Sequence, residues 1–224
     1  IMRKKWVLKK LAQLPQGNLL DCGCNIGRLS SEWNKGMVMG VDIAYSLLAK
    51  GKKVFPYTNF IQGDLRNIEF FKKNSIDNAI AIEVIEHLDN VEHFLYGLYN
   101  ILRPKGLVLI TTPSYSKRRP YMTKLGLLKS YGVKRGVVGE SYIHTAYKPE
   151  ELKELFVKTG FEIVESGSFE FETRGWVKPF TMLTNIFEIF SAKLFPSSRF
   201  NILFVECLNR FEIDTFFVLD TLGL

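Results

Sequence analysis

Leu19-Leu20-Asp21-Cys22-Gly23-Cys24-Asn25-Ile26-Gly27 decides the fold. A short apolar run ends in an acid, and glycines then punctuate a turn that reads as the entry to a helix. This is how a strand delivers the chain to a sheet edge and lets the backbone approach a nucleotide cofactor closely. Such a loop is common by itself, so its neighbours matter. Val38-Met39-Gly40-Val41-Asp42 is a second apolar run ending in an acid. Asp42 lies about twenty residues beyond the loop, where a carboxylate can take ribose hydroxyls. Phe60-Ile61-Gln62-Gly63-Asp64-Leu65 and Ala79-Ile80-Ala81-Ile82-Glu83 repeat the pattern.

The spacing predicts strands near 18–22, 37–42, 58–62, 76–82 and 106–112, and a later pair near 161–171 and 212–219. Between the fourth and fifth, Val91, Phe94, Leu95, Leu98, Ile101 and Leu102 recur at helical spacing, with Asp89 as the cap and Pro104 as the stop. Strand–helix alternation predicts a parallel sheet covered on both faces, with ligands beyond the carboxyl ends of its strands. Asp21, Asp42, Asp64 and Glu83 all fall at such ends.

Together these segments resemble the class I S-adenosylmethionine-dependent methyltransferases over roughly residues 17–167, in the branch that methylates oxygens of small molecules such as quinone rings. Asp21 to Gly27 looks like the family's first motif, with Asn25 standing where the middle glycine is usual. Asn tolerates positive φ better than most residues, so the turn survives. The resemblance implies a Rossmann-like, seven-stranded, mostly parallel α/β sheet with helices on both faces and a last antiparallel strand. It also implies that S-adenosylmethionine is held by Asp21, Gly23, Cys24, Asn25, Gly27, Asp42, Ile43, Gly63, Asp64, Leu65 and Glu83. Leu102 to Pro113 looks like the fifth strand region, and Tyr147 to Leu152 with Thr159 to Glu162 resembles the late helix and sixth strand.

One constellation suits acceptor chemistry. Glu83, Glu86 and His87 follow the fourth strand and converge if the chain turns helically there. His144 falls at the expected mouth of the site. Glu83, His87 and His144 are the catalytic candidates, because a hydroxyl acceptor needs a base or a metal to remove its proton. The E-x-x-E-H run with a later His resembles both small-RNA 2′-O-methyltransferases, which hold a metal with such residues, and quinone-ring O-methyltransferases. Glu83, Glu86, His87 and His144 are therefore also candidate ligands for a divalent metal. The competing reading has the same residues contact the cofactor or pack the turn. His93 reads as a surface residue without a role.

The 224 residues suit one methyltransferase domain over 1–224, with a basic lid insertion over 114–146 and an apolar helical cover over 176–209. Seven basic side chains lie between Tyr115 and Gly139 with no acid, as many as the net charge of +7 of the whole chain. A solvated loop is the plain reading. A lid would favour an anionic acceptor, RNA or an acidic membrane surface. The leading acceptor is a small or lipid-like metabolite. An RNA 2′-O-methyltransferase and a non-catalytic scaffold of the same fold are the alternatives.

Cys22, Cys24 and Cys207 show no disulfide or metal spacing, which favours a reducing, cytoplasmic location, with peripheral membrane contact open. The basic, amphipathic start from Met2 to Leu11 reads as an edge helix and lacks the apolar core of a signal peptide. The sequence leaves the oligomeric state open.

Overall fold

The computed structural model describes residues 2–114, 121–124, 141–144, 147–169 and 213–221. The elements are α1 (Met2–Leu11), β1 (Leu19–Cys22), β2 (Val38–Asp42), α2 (Tyr45–Val54), β3 (Asn59–Gln62), β4 (Ile76–Ile82), α3 (Val91–Ile101), β5 (Leu102–Ser114), β6 (Tyr121–Lys124), β7 (Ser141–His144), α4 (Pro149–Lys158), β8 (Phe161–Phe169) and β9 (Ile213–Thr221). A seven-stranded sheet runs β3-β2-β1-β4-β5-β9-β8, and β6 pairs with β7 in a separate hairpin. All pairings from β3 to β5 are parallel, and β9 runs antiparallel to both of its neighbours. This is the sheet expected from the sequence.

Burial explains the apolar runs. All four residues of β1 are buried, because the strand has a neighbour on each side and cover on both faces. One face packs on α3 and α4 through Phe94, Leu95, Leu98, Leu152 and Phe156. The other packs on α1 through Val7 and Leu11, joined by Trp33. Chain order reverses between β1 and β4. This is the switch point at whose carboxyl edge open α/β sheets bind ligands.

Four local expectations are corrected. The segment after the glycine loop forms only a three-residue 3-10 turn, Ser30–Glu32, where a helix was expected. Trp33 Nε1 donates to Gly17 O at 3.0 Å, and Lys35 Nζ donates to Ala12 O at 2.7 Å and Leu14 O at 2.6 Å. These bonds pin the chain to the end of α1 before a second turn can form. At α3 the cap is Asn90, whose side chain accepts from His93 N at 3.0 Å, one residue after the expected Asp89. The strand expected from 106 starts at Leu102, but its register with β4 breaks after Leu102 and resumes at Leu107, around Lys105 at φ +66°. His93 does have a partner, described below.

The lid over 114–146 is described only at its start and in the β6–β7 backbone, so the remainder of that segment lies outside the described residues. So do the cover over 176–209 and Cys207. Among the described residues, no helix is long and apolar enough to cross a membrane.

Candidate functional site

The site begins where β1 ends. Gly23, Asn25 and Gly27 take φ of +71°, +55° and +76°, so every second residue of the loop is left-handed and the backbone coils tightly. Asn25 adopts the positive φ inferred for it. Gly23 is doubly constrained, because a Cβ there would lie 2.6 Å from Val84 Cγ2 at the tip of β4. The loop rests on β2 through bonds from Gly23 N and Cys24 N to Val41 O, at 2.8 and 3.0 Å. Cys24 turns its thiol inward toward Gly40 and is almost fully buried, which pushes its pKa up. Its N–H is spent on Val41 O, and its carbonyl accepts from Gly27 N at 2.8 Å, which closes the turn.

Asp42 grips this loop. Its Oδ2 accepts from Asn25 N at 2.8 Å and its Oδ1 from Ala44 N at 2.9 Å. Each oxygen has thus met one backbone donor and keeps capacity for another, which suits two adjacent hydroxyls. Asp21 behaves differently. It is 4% exposed, and burial, helped by the charge of Asp42 and opposed by the Ser30 hydroxyl, raises its carboxyl pKa to about 7. A cation placed there would favour the ionised form.

Beyond β3, Asp64 opens the 3-10 turn Leu65–Phe70 by accepting from Arg66 N at 2.9 Å. The Arg66 guanidinium also meets both carboxylate oxygens and holds the Asp64 carboxyl below its usual range. Leu65 is buried beneath this turn. Ile43 and Phe70 remain about half exposed, and a Cβ on Gly63 would lie 2.9 Å from the Phe70 ring. Phe70 escaped the sequence reading. Its signal was a large apolar residue closing a polar turn beside Gly63-Asp64.

At the tip of β4, Glu83 sits at φ +56°, a conformation with a real energetic cost for a non-glycine residue. Its N donates to Thr111 O at 3.0 Å, and its Oε1 accepts from Thr111 Oγ1 at 2.8 Å. A 3-10 turn, Ile85–His87, follows. Glu86 is 1% exposed. Its Oε2 accepts from Thr112 Oγ1 at 3.2 Å, and its Oε1 lies 3.7 Å from His87 Nε2. Thr111 and Thr112 point to opposite faces of β5 by strand alternation. Glu83 is therefore anchored toward one face, and Glu86 with His87 toward the other. Strand β7, which ends at His144, lies against the Ile85–His87 turn. The His144 side chain lies outside the described structure. Among the described residues, no three His, Cys, Asp or Glu side chains form a group that could hold a metal. The two threonines were also missed. Their signal was a polar pair ending the apolar run Leu107-Val108-Leu109-Ile110.

The model of the family described as "Methyltransferase domain" matches residues 3–166, most of the chain. The chain belongs to the class I S-adenosylmethionine-dependent methyltransferases. This methyltransferase is 27% identical over 176 residues to the ubiquinone biosynthesis O-methyltransferase of Rickettsia canadensis, covering 73% of this chain and 72% of that protein. To the same-named protein of Rickettsia akari it is 31% identical over 178 residues, covering 73% of this chain and 68% of the relative. An S-adenosylmethionine-dependent methyltransferase structure from Mesorhizobium loti matches 97% of both chains with a TM-score of 0.61 at 15% identity, which speaks for the fold alone.

The residues present fit the cofactor. The sheet order β3-β2-β1-β4 sets Asp64, Asp42, Asp21 and Glu83 side by side along one edge, at strand spacings of about 4.8 Å. A half-exposed apolar pair, a carboxylate with two receptive oxygens and a buried near-neutral acid follow one another along that edge.

Proposed function

We propose that this methyltransferase moves the methyl group of S-adenosylmethionine to an oxygen of a small phenol- or quinol-like acceptor. Asp64 with Ile43 and Phe70 meets the adenine, Asp42 takes the ribose hydroxyls, and Asp21 with the backbone of residues 23–27 takes the methionine end. When bound, the cofactor supplies an electrophilic methyl group on a sulfonium sulfur. The chain then has to align the acceptor oxygen and accept its proton as the O–C bond forms and the S–C bond breaks. His87, beside the buried Glu86, and His144, on the strand packed against that turn, are the groups for the proton. Glu83 stands at the same strand end, held by Thr111.

The observation that carries this reading is the pairing of the partly exposed His87 with the buried Glu86 at the tip of β4, one strand from the cofactor loop. The Rickettsia relatives named for ubiquinone biosynthesis support oxygen as the accepting atom. The reading spans 1–224 as one domain, with 114–146 as an acceptor-side lid and 176–209 as an apolar cover suited to a lipid-like acceptor. The test is transfer of labelled methyl to simple catechols and phenols. Methyl ethers should form, with His87→Ala strongly impaired. Cofactor binding without methylation of any hydroxyl-bearing probe, or methylation of RNA in its place, would overturn the assignment.

The position of β7 against the 85–87 turn also favours a second reading, in which Glu86, His87 and His144 hold a divalent ion that acidifies the acceptor hydroxyl, without Glu83, whose bond to Thr111 turns it to the other face. Activity would then vanish with chelator and return with manganese, zinc or iron. His144→Ala would reproduce the loss with cofactor affinity intact. Chelator-insensitive turnover would leave the imidazoles working as bases alone.

A further inference from the structure

Arg66 stands between the two halves of the site. Its Nε lies 3.0 Å from each Asp64 oxygen, and its Nη2 lies 2.5 Å from Oδ2. Its Nη1 lies 3.7 Å from Asp89 Oδ2. Its carbonyl meets His93 Nδ1, at the start of α3, at 2.8 Å. The turn carrying Arg66 is fixed from below. Leu65 and Ile68 are buried in the core under α3, and a Cβ on Gly97 would lie 2.5 Å from Ile68 Cγ2. A planar guanidinium can serve two carboxylates at once, which an ammonium does poorly.

The two carboxylates belong to different parts of the reaction. Asp64 sits at the adenine turn of the proposed reading, on which this inference rests. Asp89 follows His87 by two residues and precedes the α3 cap. We propose that Arg66 is a positioning residue that clasps the adenine turn to the turn bearing Glu86 and His87, so that cofactor bound at Asp64 steadies the acceptor side. The lowered pKa of Asp64, caused first by its bond to Arg66, agrees with a persistent pair. Arg66, Asp64 and Asp89 side chains are each 36–37% exposed, so the coupling is modest, on the order of two- to five-fold, as for exposed ion pairs.

The experiment is hydrogen exchange on the full chain, with S-adenosylhomocysteine as the probe and calorimetry to confirm its binding. In the wild type, the ligand should slow exchange in the 23–27 loop. It should also slow the amides of Leu88, His93 and Phe94 by about two- to five-fold. In Arg66→Ala and in Asp89→Asn the slowing at Leu88, His93 and Phe94 should disappear while that at 23–27 persists, and Arg66→Lys should recover only part of it. Asp89→Asn leaves the Asp64–Arg66 pair intact, so its result separates the clasp from damage at the adenine turn. Equal slowing at Leu88, His93 and Phe94 in wild type and both variants would overturn the proposal. So would a wild type that responds at 23–27 alone. A wild type that does not bind the probe would remove the cofactor reading itself, and the clasp with it.

Discussion

Replacing Asp21 by Asn should stabilise the cofactor-free protein at neutral pH, and the gain should depend on pH in a defined way. The Asp21 carboxyl moves from an ordinary 3.8 to about 7 on folding, chiefly through burial, with Asp42 adding and Ser30 opposing. Below pH 3.8 the group is protonated in both states and costs nothing. Between 3.8 and 7 the unfolded chain releases the proton while the folded one keeps it, so each pH unit costs the fold about 1.4 kcal/mol. Above 7 both states are ionised and the penalty is constant, at most about 4 kcal/mol. Asp21→Asn removes the ionisation and keeps the shape. Urea unfolding of both proteins without cofactor, at pH 4, 5, 6, 7 and 8, isolates the effect as the difference between them. That difference should grow in favour of the variant up to pH 7 and level off. Saturating S-adenosylhomocysteine, whose ammonium would favour ionised Asp21, should shrink it. A difference that does not change with pH would refute the account, because a neutral amide and a permanently ionised or permanently neutral acid differ by a constant.

Asp42→Ala removes an acceptor that also ties Asn25 and Ala44 to the strand end. Calorimetry should show cofactor binding weakened by about 2 kcal/mol, and unchanged affinity would sink the ribose assignment. Gly23→Ala meets both a φ of +71° and Val84 at 2.6 Å, so it should lose on the order of 1–3 kcal/mol of stability by urea unfolding and displace the tip of β4. Replacing Lys117, Arg118 and Arg119 together by Gln should raise the Michaelis constant for an anionic acceptor and leave cofactor affinity alone. Parallel loss of both would mean these charges serve the fold.

Strands β1, β2, β4 and β5 were legible because each ends an apolar run with an acid or a threonine, and because parallel strands buried on both faces need little alternation to be recognised. The last antiparallel strand was legible for the same reason, Phe216 to Leu219 being a β-rich run. What escaped depended on contacts distant in sequence. Nothing within 28–33 reveals that Trp33 will bond to Gly17, or that Lys35 will bond to the end of α1, so a helix was the natural expectation there. Asp89 and Asn90 are both good caps, and the side chain that reaches His93 N decides between them. Thr111 and Thr112 become site residues only once β5 lies beside β4. Arg66 looks like an ordinary surface charge until the turn after β3 folds back beside Asp89.

The four acids at the strand ends also show why position alone does not fix a role. Each terminates a parallel strand at the same edge, so the sequence presents them as equivalents. Their surroundings then part them. Asp21 is buried and close to neutral. Asp42 is held by two backbone amides and open to two more donors. Asp64 is clasped by a guanidinium. Glu83 is left-handed and bonded to a threonine. In the proposed reading these states fall in the order a nucleoside joined to an amino acid requires. A receptive carboxylate stands under the ribose, a carboxyl ready to ionise stands beside the ammonium, and a strained one stands where the methyl group would be handed over. Exchanging the types of neighbour should therefore exchange more than the charges do. Ser30→Ala, which removes the opposing hydroxyl near Asp21, should raise that carboxyl further and shift the pH dependence of cofactor binding upward. The same binding curve unshifted would place the ammonium elsewhere along the edge.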